Sequence, residues 1–199
     1  MTAPTTFVCR ELRLRQFRNF ASLDLTFPVE GVAIIGDNGS GKTNLLEALY
    51  YLEIFRSFRG AQDDQLVRMG AEAFFVRGRF ENPASGEVRE ITAAYERRGK
   101  KKRVTVNGAE PERLGDALGG VGAVIFSPSD VGIVAGSPGE RRRFLDIVLS
   151  LNAPGYLTTA QRYRQVLKQR NAMLRDGAPP DLLEAWDEGL VEWGSRLIA

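Results

Sequence analysis

The sequence predicts an α/β fold followed by a helical portion, and three observations carry that prediction. The first is Gly36-Asp37-Asn38-Gly39-Ser40-Gly41-Lys42-Thr43, a glycine, four free positions and then Gly-Lys-Thr, which is the spacing of a phosphate-binding loop. The second is the setting of that loop. Gly31-Val32-Ala33-Ile34-Ile35 before it is a short apolar run of the buried-strand kind. Leu45, Ala48, Leu49 and Leu52 after it recur at the spacing of one helix face. The third is the last third of the chain, where apolar residues follow a helical period throughout.

Each residue type in the loop has a chemical reason. Glycines let the backbone turn tightly and aim successive N–H groups at an anion. A helix starting near Lys42 adds its unpaired N–H groups and the positive end of its dipole. Lys42 reaches β- and γ-phosphate oxygens, and the Thr43 hydroxyl ligates Mg²⁺. The expected ligands are therefore ATP and Mg²⁺.

Composition narrows the remaining classes. The 199 residues are 43% hydrophobic and 26% charged, an ordinary globular balance. With 27 basic and 25 acidic side chains, net charge says little about partners, and its distribution says more. The absence of histidine excludes His-based triads, acid–base pairs and zinc sites. A single cysteine, Cys9, excludes an internal disulfide and favours a reducing compartment. No apolar run is long enough to span a bilayer, and residues 1–6 lack the basic and apolar regions of a leader. The expectation is a cytoplasmic protein without a membrane segment.

Upstream of the loop, Leu12 and Leu14 alternate with arginines, and Leu23, Leu25 and Phe27 repeat the period of two. This reads as a hairpin leading into a mixed sheet. Between the two runs lies Phe17-Arg18-Asn19-Phe20, a polar turn with aromatic flanks. Downstream come Arg56-Ser57-Phe58-Arg59, a strand around residues 74–80, and two alternating runs forming a hairpin over about 87–108. Its tip, Arg97-Arg98-Gly99-Lys100-Lys101-Lys102-Arg103, is the densest basic cluster in the chain. It serves either to block edge-to-edge strand pairing or to track a phosphate backbone.

Residues 121–126 form a further apolar strand candidate, and Ser127-Pro128-Ser129-Asp130 is set to start a short helix. Gly136-Ser137-Pro138 opens another, on which Arg141, Arg142 and Arg143 fan out about 100° apart, with one able to pair with Asp146. A basic helix with Ala160, Tyr163, Leu167 and Leu174 on one stripe follows. After Gly177-Ala178-Pro179-Pro180 comes an acidic helix with Leu182, Trp186, Leu190, Trp193 and Leu197 on one side. Their charges are complementary as an antiparallel pair. An apolar strand ending in Asp, which a P-loop ATPase needs for Mg²⁺ and water, is not found downstream of the loop. The chain also stops within an apolar stripe at Leu197-Ile198-Ala199. Both lead to the expectation of an N-terminal part of a longer ATPase, with hydrolysis by this chain alone weak or absent.

Taken in order, Phe17-Arg18-Asn19-Phe20, the loop, Ser57-Phe58-Arg59, Phe126-Ser127-Pro128-Ser129-Asp130, and Gly136-Ser137-Pro138 with Arg141-Arg142-Arg143-Phe144-Leu145-Asp146 resemble the RecF family. That family comprises bacterial DNA-repair ATPases of the SMC-like and ABC-type superfamily. The resemblance implies an ABC-type P-loop head with a mixed β-sheet, here residues 1–136, and a smaller, incomplete helical arm, residues 137–199. It implies ATP-driven homodimerisation and sequence-independent DNA binding at gaps or single-strand/duplex junctions. It further implies recombinase loading with a RecR-type mediator protein and a part in the SOS response. It places Arg18 and Asn19 near the nucleotide and leaves Ser127–Asp130 without the glutamine usual in ABC enzymes. Candidate DNA contacts are Lys100, Lys101, Lys102 and Arg103, then Arg56 and Arg59. Two other classes stay open: a P-loop ATPase or kinase acting on a small molecule or in transport, and a DNA-binding module in which ATP is only a structural ligand.

Overall fold

The period-two runs build the sheet. In the computed structural model, which describes residues 7–198 and only the backbone of Ser129, five strands lie in the order β2-β1-β3-β4-β5. They are β1 Val8–Phe17, β2 Phe20–Thr26, β3 Ala73–Glu81, β4 Val88–Glu96 and β5 Lys101–Val106. Residues 1–6, read above as lacking a leader, lie outside the described part. Every pairing is antiparallel, with Leu14 opposite both Leu23 and Val76, Val76 opposite Ala93, and Ala93 opposite Val104. One face thus collects Leu12, Leu14, Phe74, Val76, Ile91, Ala93 and Val104, all buried. The other carries arginines and carboxylates in cross-strand pairs, such as Arg79 with Glu11 and Arg15 with Asp24. Alternation decides which is which.

Helix α1, Lys42–Ile54, lies on the apolar face through Leu45, Ala48, Tyr51 and Leu52. Each such fully buried large side chain contributes about 1.5–3 kcal/mol. The approach is close at Gly78, where an added Cβ would stand 2.6 Å from Leu52 Cδ1. Phe17, Tyr51, Phe74 and Tyr95 form the centre of the core, with Phe17–Phe74 and Tyr51–Phe74 edge-to-face at 5.3 and 5.5 Å. The short helix α2, Asp63–Leu66, is tied on by Asp63, which accepts the buried Tyr51 hydroxyl at 2.7 Å. Burial first, and Asp63 second, hold that phenol far above its ordinary range. Burial likewise pushes the Cys9 thiol up to about 12, an unreactive cysteine.

Two expected strands are not formed. Residues 31–35 and 121–126 have no ladder partner among the described residues, and Ile35, Val124 and Phe126 are almost fully exposed. Composition marks a residue as fit for a strand, but only a paired neighbour makes one. The parallel core that the mixed-sheet expectation needed is thus not seen among the described residues. The hairpin before it, β1–β2, is as expected.

Glu53 shapes the path of the second of these runs. Its carboxylate is 2% exposed and accepts the Val121 N–H at 3.1 Å, with the Gly122 and Ala123 N–H groups also directed at it. Burial raises its pKa and outweighs these donors. The folded state therefore holds this proton more tightly than the unfolded one. Its ionisation costs stability that is absent at acid pH and grows as pH rises above about 4.5. Glu53→Gln is expected to remove that slope, so that the difference in denaturation midpoint between wild type and variant changes between pH 4 and pH 8. A pH-independent difference would show that folding leaves the proton affinity of this carboxyl unchanged.

The described residues divide into two compact units, one reaching Phe126 and the other starting at Ser127, an earlier boundary than the 136/137 break expected from sequence. The reason is local. Pro128–Asp130 forms a 3₁₀ turn closed by Asp130 accepting the Ser127 N–H, and it continues into α3, Val131–Ala135. This segment packs on α4, Pro138–Asn152. A capping box between Ser137 and Glu140 starts α4. Asp146 pairs with Arg164 and Tyr156 of α5, Tyr156–Arg175, rather than with Arg141–Arg143. Helix α6, Pro180–Ile198, runs antiparallel to α5, since Gly189 faces Val166 and Gly194 faces Tyr163, with Arg170 paired to Asp187. On α6 Leu183 is buried and Leu182 exposed, so the expected stripe differs at its first position, while Trp186, Leu190, Trp193 and Leu197 are half-buried as expected. Among the described residues no helix is long and apolar enough to cross a membrane.

Candidate functional site: a phosphate-binding loop and its struts

The loop ends where α1 begins. Gly41 is the N-cap, with φ +107°, and α1 has neither a side-chain cap nor an acidic residue in its first turn. Its leading N–H donors are thus left for an anion. An added Cβ at Gly41 would sit 2.5 Å from Asn19 Nδ2 and 2.8 Å from Phe20 Cζ, so shape and backbone both require glycine there. Lys42 Nζ reaches back across the loop, donating to the Gly36 and Asp37 carbonyls at 2.6 and 2.8 Å. Thr43 is exposed on the first turn, its hydroxyl bonded to nothing among the described residues. A hydroxyl in that place is the kind of oxygen ligand that Mg²⁺ takes alongside phosphate and water. Among the described residues no cluster of three acidic or cysteine side chains stands ready to hold a metal by itself.

The β1–β2 turn supports the loop from below. Asn19 Nδ2 donates to the Ser40 carbonyl at 3.1 Å, and Asn19 Oδ1 accepts from Asn44 Nδ2 at 2.9 Å. Arg18, with φ +54°, is committed elsewhere. Its Nε and Nη2 each bond one oxygen of Glu47 at 2.8 Å, and Nη1 donates to the Gln65 carbonyl at 3.1 Å. Every nitrogen of that guanidinium has a partner. Arg18, expected near the nucleotide, is held as a strut by the fully buried carboxylate on α1.

Arg59, a candidate DNA contact, lies beside this site. Its Nη1 donates to Asn44 Oδ1 at 3.2 Å and stands 3.8 Å from Glu47 Oε2, with nearly half the side chain exposed. Arg18, Asn19, Asn44, Arg59 and Arg97, with the exposed Met69, line an open depression of about 530 Å³. Arg56 is exposed and unpaired among the described residues.

The basic hairpin divides into bound and free cations. Lys102 points inward. It donates to the Phe55 carbonyl at 2.7 Å, pairs with Asp63 at 2.7 Å and lies 5.2 Å from the Tyr51 ring centre. It thereby caps the C-terminal end of α1. Arg97 donates to the backbone carbonyls of Ala71 and Asp64, and Arg103 pairs with Glu110. Arg98, Lys100 and Lys101 are exposed and have no partner among the described residues. Lys102, a candidate DNA contact, is thus engaged within the fold, since β-alternation turns it to the core side beside Val104.

Sequence reasoning did not single out Asn44, Glu47 or Tyr51. For Glu47 a signal existed. It is a carboxylate within the stripe of Leu45, Ala48 and Leu52, where an unpaired charge would be costly.

A sheet carrying a glycine loop at the start of a helix packed on its apolar face, with a separate helical unit, defines a P-loop head of the RecF and ABC-ATPase architecture. The family described as RecF/RecN/SMC N terminal domain matches residues 8–111, and the chain belongs to that family. It is 40% identical over 201 residues to "DNA replication and repair protein RecF" of Salinibacter ruber, covering 96% of this chain and 47% of the relative. With the Leptospira interrogans protein of the same name identity is 37% over 190 residues, covering 95% and 52%. The chain thus spans about half the length of the curated relatives it matches. Among solved structures, one described as the recombination mediator protein RecF-ATP in the RecFOR pathway superposes with a TM-score of 0.90 at 36% identity. That match covers 99% of this chain and 53% of the other.

Proposed function

We propose that this chain is the ATP-binding, DNA-contacting part of a RecF-type recombinational repair protein. The observation that carries the reading is the uncapped start of α1 behind Gly41, with Lys42 Nζ swung across the loop and Thr43 exposed beside it. Backbone donors and the helix dipole receive the triphosphate, Lys42 exchanges the two loop carbonyls for phosphate oxygens, and Thr43 contributes to Mg²⁺. The neighbouring depression, with three arginines and Met69, is open to the rest of the nucleotide. Similarity to a mediator protein solved with ATP supports this choice of ligand.

DNA is contacted without sequence reading, by the free cations of the hairpin tip. ATP promotes pairing of two copies, and the complex acts at gaps and junctions. There it favours recombinase loading with a RecR-type mediator in the cytoplasm and contributes to the SOS response. Gapped, single-stranded and duplex DNA titrated at several salt concentrations, with and without ATP·Mg²⁺, tests the reading. Tighter binding with ATP and a steep fall with salt are expected. DNA affinity indifferent to both ATP and salt would favour a P-loop protein acting on a small molecule.

A further inference from the structure

We propose that Glu47 is a positioning residue of the triphosphate site, acting on the phosphate loop through Arg18 and Asn19. The inference rests on the reading of residues 36–43 as an ATP loop. Glu47 is 0% exposed, yet it lies on the same helix that the loop leads into. Its two oxygens receive Arg18 Nε and Nη2 at 2.8 Å, the buried Ser57 hydroxyl, and the charge of Arg59 at 3.8 Å. Two separate segments, the β1–β2 turn and the 57–59 loop, thus converge on one carboxylate of α1.

The direction of action follows from what Arg18 anchors. Arg18 holds a left-handed backbone, with its N–H on the Leu66 carbonyl at 2.7 Å. The next residue, Asn19, is the one that touches the loop, through Ser40 O at 3.1 Å and beneath Gly41. Rotation of Arg18 would carry Asn19 with it, since the two share a peptide bond. The grip on Arg18 is bidentate, which fixes orientation as well as distance. A buried ion pair is weak evidence of stabilisation, because apolar residues of similar volume often do as well. What this one supplies is direction, holding the loop's last peptide in the geometry from which its N–H groups point at phosphate.

The proposal is tested by calorimetric titration of ATP·Mg²⁺ into the 199-residue chain and its variants Glu47→Gln, Asn19→Ala and the double variant. The Gln side chain keeps the volume but cannot receive both guanidinium nitrogens. A loss of affinity of about ten- to a hundredfold is expected, the scale found when outer partners of a metal ligand are removed. The double variant is expected to be no weaker than the worse single one, because both changes break the same chain of contacts. A merely structural effect of Glu47 would instead multiply with that of Asn19→Ala. Affinity within twofold of wild type, or multiplying losses, overturns the proposal. Should Glu47→Gln not fold by circular dichroism, Arg18→Lys decides. It keeps the charge and loses the bidentate grip, and undiminished ATP affinity in that variant overturns the proposal equally. A wild-type chain that takes up no nucleotide removes the functional reading itself, an outcome distinct from every variant result.

Discussion

Lys42→Ala is expected to bind ATP about 150-fold more weakly than wild type while melting at nearly the same temperature. The lysine is the one cation that the motif aims at the β- and γ-phosphates, and charge-assisted hydrogen bonds there contribute about 3 kcal/mol together. Its present partners, the Gly36 and Asp37 carbonyls, lie on an exposed loop where water can replace the ammonium. Folding therefore loses well under about 1 kcal/mol. Calorimetric titration together with thermal denaturation separates the two quantities. Equal ATP affinity in both proteins would make residues 36–43 a structural turn, and a large fall in melting temperature would mean that Lys42 supports the loop's own fold.

The contrast between Lys42 and Arg18 shows what could be read in advance. Lys42 is tied to its role by local spacing, because a loop of fixed length followed by a helix leaves the residue few other places to go. The period of two placed β1 to β5 for the same reason, and the helical period placed α1 and the α5–α6 pair. From its own stretch Arg18 reads as a polar residue in a turn, and the family resemblance adds only that it lies near the nucleotide. Its partner Glu47 lies 29 residues away, and nothing in a short window states that two segments will meet. The missing strands at 31–35 and 121–126 fail in the same way, since a ladder depends on a neighbour and not on the run itself. Among the hairpin cations, alternation could have separated Lys102 from Lys101. What it could not supply was Asp63 and the Phe55 carbonyl, which give Lys102 its reason to stay inside.

That separation sets up the second large effect. Replacing Lys100 and Lys101 by Ala is expected to leave folding unchanged and to weaken DNA binding in a salt-dependent way. Both are exposed beside Arg98 at the turn between β4 and β5, and neither has an intramolecular partner to lose among the described residues. Each phosphate contact removed takes about 0.9 off the slope of log affinity against log salt on duplex DNA. The double variant should flatten that slope by roughly 1–2 units. Lys102→Ala is expected to do the opposite. It strips Asp63 and the α1 C-terminus of their cation in a mostly buried setting, costing about 1–3 kcal/mol of stability, while the salt slope stays at the wild-type value. Urea denaturation and DNA titrations on the two variants read both axes. If Lys102→Ala alone flattened the slope at unchanged stability, the inward lysine would be a DNA contact after all. If Lys100 and Lys101 together left the slope untouched, the tip would be only a charged edge that blocks strand pairing. The phosphate contacts would then fall to Arg56, exposed just beyond α1.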